Sequence, residues 1–372
     1  MFSPLPLTHD SYAISSGRKG IVLKKLSHSC AYGCLLATLL FVSSAVADTW
    51  NVPGDAPTIQ AGIDSATAGD AVEITCGTYY EHSLVMKSGI ILRSETSQPG
   101  CVIIDAENAG RVITCVDVDP TGVIVGLTLI NGSAMGASPD DLGGGILCDN
   151  SSPALSNCIF RDNAGNYGGG LYCRDGSSPA ITDCDFLDNS SESMGGGLYC
   201  FNGSSPPLTS CTFSGNHATE AGGGMYCAES CLPTLNGCTF YGNSSPFGGG
   251  ITCFDNSPCS LMNCLISFSG EGRAMYYDVG STPSLECCDL YGNDGGDWMG
   301  SLFDLLGTLG NINADPLFCA ADPHGDRDWT IQSTSPCLPA LSSCGQIGAW
   351  GEGCIGTATA VATWGQLKTT YR

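Results

Sequence analysis

Cysteine has the widest choice of chemistry in this chain, and most of the 23 cysteines recur at a regular spacing. The first column consists of Cys115, Cys148, Cys173, Cys200, Cys227 and Cys253, with Tyr277 next in register. The second column follows 10 or 11 residues later and consists of Cys158, Cys184, Cys211, Cys238, Cys264 and Cys288, with Gly126 in the corresponding place of the first repeat. Such cysteines could form disulfides, bind a metal or pack as free thiols. No Cys-x-x-Cys pair recurs, which argues against a metal site, so we predict packed thiols at most of these positions.

Tyrosine recurs beside the first cysteine column, at the middle position of the same short apolar segment. The residues there are Leu147, Tyr172, Tyr199, Tyr226, Thr252 and Tyr276. Side chains alternate between the two faces of a strand, so the neighbours of an inward cysteine point outward. We therefore predict an exposed ladder, with candidate binding residues Tyr172, Tyr199, Tyr226 and Tyr276, that stacks on sugar rings or docks a protein partner. The alternative is cross-strand stacking that only stabilises the sheet.

Acidic residues follow the first cysteine column by one or two positions. They are Asp149, Asp175, Glu229, Asp255 and Asp278, with Asn202 in place of an acid in the middle. Calcium at these turns is one interpretation, because hard cations need several oxygen ligands; solvated turn residues are the alternative. His82, His217 and His324 are scattered and have no partner at a catalytic or metal-binding spacing. The sequence therefore predicts no catalytic residue, no metal-binding residue and no cofactor apart from this possible calcium.

These residues belong to a repeat whose leading cysteines lie 25, 27, 27 and 26 residues apart from Cys148 to Cys253. Each unit reads as Gly-Gly-Gly, a short strand, a Ser/Pro turn and a second strand ending near asparagine. No stretch keeps helical periodicity, and one unit of this length per turn is typical of a stacked solenoid. We predict an all-β fold, a single-stranded right-handed parallel β-helix (solenoid), with repeat coils over residues 111–294.

A column of asparagines follows five residues after the second cysteine column. Its members are Asn131, Asn163, Asn189, Asn216, Asn243 and Asn293, with Ser269 as the exception. Asparagine tolerates left-handed backbone dihedrals better than other residues that carry a Cβ. We predict that these residues turn a corner of the coil and that their amides hydrogen-bond from one coil to the next.

The two ends of the chain differ from the repeat. Residues 1–47 contain basic residues, a short apolar run and an Ala-Val-Ala cleavage site, which predicts a secretory signal peptide; a membrane anchor is the alternative. Residues 48–110 are predicted to form an N-terminal cap and the first coils, with a short helix that has Pro57 in its first turn and buries Ile59, Ile63 and Ala66. Residues 295–356 are predicted to form a C-terminal cap, and residues 357–372 a linker and tail peptide that is either a sorting or docking signal or a frayed terminus.

Removal of residues 1–47 would leave 13 − 4 = 9 Lys and Arg against 36 − 1 = 35 Asp and Glu, a formal charge of −26. A surface of this kind repels nucleic acid, anionic lipid and polyanionic polysaccharide unless cations bridge them. Export to an oxidising compartment would allow disulfides. We predict them for the last four cysteines of the chain, which lie outside the columns: Cys319, Cys337, Cys344 and Cys354.

The Gly-Gly-Gly-[Ile/Leu/Met] and Phe-x-x-Asn motifs, as in the segment from Phe160 to Asn163, resemble the repeats of the chlamydial polymorphic outer-membrane protein family. The segment from Thr58 to Ile63 looks like the opening of pectin-lyase-like β-helix proteins. Together the resemblance covers roughly residues 48–356. It implies a β-helix, and for the first family a cell-surface or adhesive role. The chain has too few residues after the coils for a translocator barrel, and it lacks the catalytic signatures of pectin enzymes.

The sequence therefore favours a secreted or cell-surface β-helix protein with a structural, adhesive, carbohydrate-binding or protein-binding role. The predicted partners are a glycan or a surface protein, without nucleic acid and without a transmembrane helix in the mature chain. The alternative is a polysaccharide-active lyase or hydrolase of the pectin-lyase-like superfamily.

Overall fold

A computed structural model describes residues 47–136, 141–320 and 328–354. The chain winds as a right-handed parallel β-helix, as predicted, and each complete coil contributes one strand to each of three long sheets. Residues 1–46 of the predicted signal peptide and the whole predicted tail peptide lie outside the described residues. Within the described residues, no helix has both the length and the apolar composition that crossing a bilayer requires.

The three long sheets are named after the residues that they turn inward. The cysteine sheet has eight strands: Leu84–Val85, Ile113–Val116, Ile146–Asp149, Leu171–Arg174, Leu198–Cys200, Met225–Cys227, Ile251–Cys253 and Met275–Tyr277. The leucine sheet has ten strands: Thr49–Val52, Ala71–Ile74, Ile91–Ser94, Val123–Val125, Ala154–Ser156, Ala180–Thr182, Pro207–Thr209, Thr234–Asn236, Ser260–Met262 and Ser284–Glu286. The phenylalanine sheet has nine strands: Gly77–Tyr79, Val102–Asp105, Leu127–Ile130, Ile159–Arg161, Asp185–Leu187, Thr212–Ser214, Thr239–Tyr241, Leu265–Ser267 and Asp289–Tyr291.

Two smaller sheets and two helical segments complete the fold. The short sheet has four strands: Ser133–Ala134, Ala164–Tyr167, Ser190–Met194 and His217–Ala218. The C-terminal sheet has three strands: Phe318–Ala320, Asp328–Gln332 and Glu352–Cys354. The predicted capping helix is Ile59–Ser65, and it buries Ile59, Ile63 and the following Ala66. Its N-cap is Thr58, so Pro57 precedes the helix instead of lying in its first turn. A 3-10 helix, Gly300–Leu305, buries Leu302 near the other end.

The first cysteine column is confirmed by the register of the cysteine sheet, where Cys115, Cys148, Cys173, Cys200, Cys227, Cys253 and Tyr277 follow one another. The second column is correct from Cys158 onward, but Leu127 and not Gly126 precedes it, because Thr128 pairs with Ile159. All these thiols are free and buried. They pack as small apolar groups inside the coils, as predicted.

Four phenylalanines form a stack inside the phenylalanine sheet. The ring centroids of Phe160, Phe186, Phe213 and Phe240 lie 4.6, 4.5 and 4.5 Å apart, and neighbouring planes differ by at most 4°. The rings therefore repeat at the spacing of the coils themselves. Each of the four is fully buried.

Replacing Phe213 with leucine should lower the free energy of unfolding by about 2 kcal/mol, because leucine fills most of the volume but removes two ring stacks. Urea denaturation measures the loss, and Phe303→Leu at an exposed ring is the matched control. A Phe213→Leu protein as stable as the parent would show that the stack contributes nothing beyond burial.

The asparagine column turns out to lie inside the coil. Asn163, Asn189, Asn216 and Asn243 are fully buried, and only Asn131 among the predicted corner residues has a positive φ. The left-handed residue is the one before each buried asparagine, and before Ser269 in the same column: Asp162, Asp188, Gly215, Gly242, Phe268 and Gly292. Except at Asn131, the predicted corner assignment is therefore wrong by one position. The residue before each of these asparagines bends the backbone. The asparagine side chain therefore points into the coil, where it can hydrogen-bond backbone groups.

The predicted hydrogen bonds between asparagine amides are confirmed. Asn189 Nδ2 donates to Asn216 Oδ1 at 2.9 Å, and Asn216 Nδ2 donates to Asn243 Oδ1 at 2.9 Å. Each amide also bonds backbone groups of the preceding coil. For Asn216, Nδ2 donates to the carbonyl of Phe186, and Oδ1 accepts from the backbone N–H of Asn189. Every coil in this stretch is thus tied to the next by a satisfied polar ladder.

The C-terminal strap, residues 337–350, runs back along the outside of the phenylalanine sheet. Gly348 N donates to the Asn263 carbonyl at 2.7 Å, and Ala349 N donates to Thr239 Oγ1 at 2.9 Å. Trp350 Nε1 then reaches Thr212 Oγ1 at 2.8 Å, 138 residues earlier in the chain. The strap therefore crosses several coils.

The disulfides agree only in part with the prediction. Cys319 pairs with Cys354 as expected, whereas Cys344 pairs with Cys287 and Cys337 is a buried free thiol. The strap brings Cys344 back over the last coils, beside Cys287. The spacing of the cysteines in the sequence does not indicate this path. A third disulfide, not predicted, joins Cys76 to Cys101 in the first coils.

Candidate binding groove

The four tyrosines predicted as a binding ladder do lie on one face, in the register Leu147, Tyr172, Tyr199, Tyr226, Thr252, Tyr276. The centroid of the Tyr199 ring lies 4.9 Å from those of Tyr172 and Tyr226. Their predicted exposure is wrong for three of the four. Tyr172, Tyr199 and Tyr226 are only 5, 6 and 6% exposed, whereas Tyr276 is partly exposed.

A layer of apolar residues on the outside of the cysteine sheet covers the tyrosines. It comes from the residue just before each glycine triplet, namely Leu142, Tyr167, Met194, Ala221 and Phe247, which are linked by parallel bridges between successive coils. The first glycine of each triplet has a positive φ, as at Gly195 (70°), and a Cβ there would lie 2.8 Å from that of Tyr199. Glycine thus folds the preceding residue back onto the tyrosines.

The sequence contained a signal for this layer. An apolar residue precedes all five glycine triplets. Burial under this layer raises the pKa of Tyr226 to about 12 and raises the pKa values of Tyr172 and Tyr199 further. Three of the tyrosines therefore have a packing role first.

The layer opens into a groove beside Tyr226. The groove has a volume of about 480 Å³ and is lined by Met194, Thr219, Glu220, Ala221, Tyr226, Pro246, Phe247, Thr252, Phe254 and Tyr276. The small Thr252 stands where the ladder would have a tyrosine, and it lies between Tyr226 and Tyr276. Its hydroxyl donates to the Phe247 carbonyl at 2.8 Å, so it offers no free donor to the groove.

Two phenylalanine rings form exposed walls of this groove. Phe247 is 53% and Phe254 44% exposed, and the ring centroids of Phe247 and Tyr276 lie 5.2 Å apart. The Arg273 guanidinium lies 5.9 Å from the Tyr276 ring centroid. Exposed aromatic surface in a concave site of this size is typical of a ligand-binding groove. Of the predicted residues, the structure thus brings Tyr226 and Tyr276 to an open site and leaves Tyr172 and Tyr199 beneath the layer.

The arginines of the coils have protein partners. Arg111 Nε donates to the carbonyls of Leu142 and Gly143, and Arg161 lies 3.5 Å from the carboxylate of Asp162. Arg174 is paired with Asp149, which raises the arginine pKa. These side chains hold turns and strands, and only Arg273 is beside the groove.

The acidic turn residues also have local partners. Asn202 Nδ2 donates to Asp175 Oδ1 at 2.6 Å, and Asp278 Oδ2 accepts from Asp255 N at 3.0 Å. Within the described ranges, the one close group of three metal-type ligands is Cys76, Glu95 and Cys101, and its two thiols form a disulfide. Calcium at the acidic turns therefore stays a prediction. Two predicted surface histidines are described: His82 is near Ser83 and His217 near Ser244, each about 3 Å away, while His324 lies outside the described residues.

A buried carboxylate under the C-terminal strap was not anticipated. Asp289 is fully buried; its Oδ1 accepts from Ala314 N at 3.1 Å and its Oδ2 from the Cys337 thiol at 3.3 Å. Burial raises its pKa to about 7. The carboxylate belongs to the same coil as Tyr276 but lies on the phenylalanine sheet and does not line the groove, so its importance is for stability.

Comparison with known proteins gives the chain a family. The family model described as a right-handed β-helix region matches residues 88–266 and, in an overlapping alignment, 144–301. No curated protein matches significantly. Among solved structures, the crystal structure of pectate lyase Pel9A is 10% identical with a TM-score of 0.46, over 82% of this chain and 96% of that chain. So weak a likeness carries no argument about activity. The family match spans most of the coils described above, and the chain belongs to the right-handed β-helix family.

Proposed function

We propose that this β-helix protein binds a neutral polysaccharide outside the cytoplasm, in the groove between Tyr226 and Tyr276. The observation that carries the proposal is the pair of exposed rings, Phe247 and Phe254, on the walls of an open groove of about 480 Å³. An aromatic ring that stays in water is not needed for the core, because the coils are already filled by the buried cysteines, leucines and phenylalanines.

The chemistry of the groove suits a sugar chain. The C–H faces of pyranose rings are apolar and pack on aromatic side chains, while their hydroxyls need a few acceptors. The Glu220 carboxylate lines the groove and offers such acceptors. Asp255, Asp278 and Glu220 all act electrostatically on Tyr226, so the surroundings are negative. Together with the acidic composition, this favours an uncharged glycan over a polyanionic one.

The same residues support binding without catalysis. Hydrolysis of a glycosidic bond generally uses two carboxyl groups, and Glu220 is the one acidic residue that lines this groove. The polysaccharide-active alternative is therefore an outcome of the test below and not a second proposal.

An extracellular setting is part of the proposal. Three disulfides among the described residues and the predicted signal peptide both support export to an oxidising compartment. An adhesive role at a cell surface, as the resemblance to polymorphic outer-membrane proteins implies, would use the same groove. The location and that resemblance stay predictions.

The double variant Phe247→Ser with Phe254→Ser should bind polysaccharide at least tenfold more weakly than the parent, because both stacking walls are lost. The parent protein is first screened on neutral and acidic polysaccharides by affinity electrophoresis, and the best ligand is titrated calorimetrically. Phe303→Ser is the matched control, because Phe303 is 66% exposed and lies in the 3-10 helix.

Three results would overturn the proposal. The parent could bind no neutral polysaccharide, the double variant could bind as well as the parent, or the control could lose as much affinity as the double variant. Release of shorter chains or unsaturated sugars by the parent would instead support the enzymatic alternative.

A further inference from the structure

Two buried thiols inside one coil are unusually close. Cys253 Sγ and Cys259 Sγ lie 2.8 Å apart, and both residues are essentially inaccessible to solvent. The next nearest sulfur to Cys259 is Cys227 Sγ, at 3.8 Å. Two sulfurs 2.8 Å apart are closer than van der Waals contact.

The pair arises because one coil departs from the repeat. Cys253 belongs to the first column, whereas Cys259 precedes the strand Ser260–Met262, whose Ser260 is in register with Thr234 and, one coil further, Pro207. The equivalent of Cys259 is therefore proline in those two coils, Pro233 and Pro206. The substitution places a second thiol beside the column, at the turn between the cysteine sheet and the leucine sheet.

We propose that Cys253 and Cys259 form a fourth disulfide in the exported protein. The two Cα atoms flank a five-residue turn, and the side chains already face each other across it. Cys231 also lies outside the columns, at the corresponding turn one coil earlier, but its thiol donates to the carbonyl of Ala228 at 3.0 Å.

The reaction is a thiol–disulfide exchange. One thiolate attacks an external disulfide and releases one of its sulfurs as a thiol; the second thiolate then attacks the mixed disulfide and releases the other. One S–S bond forms in the protein, two protons leave its thiols, and two electrons reduce the external disulfide to two thiols. Because both residues are buried after folding, the exchange precedes closure of the coil. The other three disulfides need an oxidant of the same class.

The disulfide would act on the groove. Cys253 is flanked by Thr252 and Phe254, which both line the groove. A covalent link at Cys253 fixes the backbone between these two residues, so the groove wall at Phe254 is held against the inside of the coil. This inference does not depend on the groove's ligand.

The test is a thiol count on the exported full chain. The protein is unfolded in urea without reductant and alkylated with iodoacetamide; among the described residues we expect 15 − 2 = 13 alkylated cysteines instead of the 15 outside the three disulfides. Cleavage before aspartate separates Cys253 from Cys259 at Asp255, so mass spectrometry then finds the two peptides joined.

Two variants identify the pair. Cys253→Ala should leave Cys259 alkylated, whereas the matched variant Cys227→Ala, equally buried in the same column, should keep the link. Fifteen alkylated cysteines in the parent, or a link from Cys259 to Cys227, would overturn the proposal. If Cys253→Ala does not fold, the peptide map of the parent still decides between these results. Loss of glycan binding does not enter the test, so the two proposals fail separately.

Discussion

Replacing Asn216 with alanine lowers the free energy of unfolding by about 4 kcal/mol. The side chain makes four hydrogen bonds in a fully buried position: two through Nδ2, to the Phe186 carbonyl and to Asn243 Oδ1, and two through Oδ1, from the backbone and side-chain nitrogens of Asn189. Alanine leaves the Phe186 carbonyl and two N–H groups of Asn189 without these partners. Each buried group left unsatisfied costs about 1–3 kcal/mol, and the costs are not additive.

Urea denaturation followed by circular dichroism measures this change. Asn236→Ala is the matched control, because Asn236 is exposed at the end of its strand and its side chain accepts a 3.4 Å hydrogen bond from Asn263 Nδ2. The control should change the unfolding free energy by less than about 0.5 kcal/mol. A loss below 1 kcal/mol for Asn216→Ala would mean that water or a rearranged neighbour satisfies the freed groups.

Replacing Asp289 with asparagine should stabilise the protein by about 4 kcal/mol at pH 8 and leave its stability nearly unchanged at pH 4. The folded pKa of about 7 lies above the ordinary value of 3.8, so the folded state holds a proton that the unfolded state has lost. The parent therefore loses stability as the pH rises from about 4 to about 7, at 1.36 kcal/mol per unit of difference in pKa. Asparagine keeps an acceptor for Ala314 N and carries no charge at any pH.

Thermal unfolding at a series of pH values between 4 and 8 tests this expectation. Asp304→Asn removes the same charge at an exposed position of the 3-10 helix and should give a difference from the parent that is small at every pH. A stabilisation by Asp289→Asn that does not grow between pH 4 and pH 7 would contradict a raised pKa at this carboxyl.

Much of the fold could be predicted because it repeats. The alternation around Cys200 is the same as around Cys173 and Cys227, and strands that stack in register must have their identical residues one above another. A column of inward cysteines follows directly. The amide ladder was also predictable, since stacked amides hydrogen-bond each other whether they face the core or the surface. The sequence could not show, however, whether the asparagine or the residue before it adopts the left-handed conformation.

The groove was harder to predict because exposure depends on what lies outside the sheet. The alternation correctly turned Tyr199 away from the core, yet it could not show that Met194 and the residues like it return to cover that face. The open site depends on departures from the repeat, with Thr252 in the tyrosine column and exposed Phe254 beside it. The consensus of the repeat does not describe residues that differ from it, so it could not predict the groove.

The C-terminal strap lies outside the repeat altogether, so nothing periodic predicted it. The strap affects the order in which the coils unfold. In a solenoid each coil touches only its neighbours, so the terminal coil can detach while the others stay folded. Here Trp350 is hydrogen-bonded to Thr212 and Ala349 to Thr239. A disulfide joins Cys344 to Cys287. The coils between Thr212 and Cys287 therefore cannot peel off one at a time, and this end of the solenoid opens as a single cooperative unit.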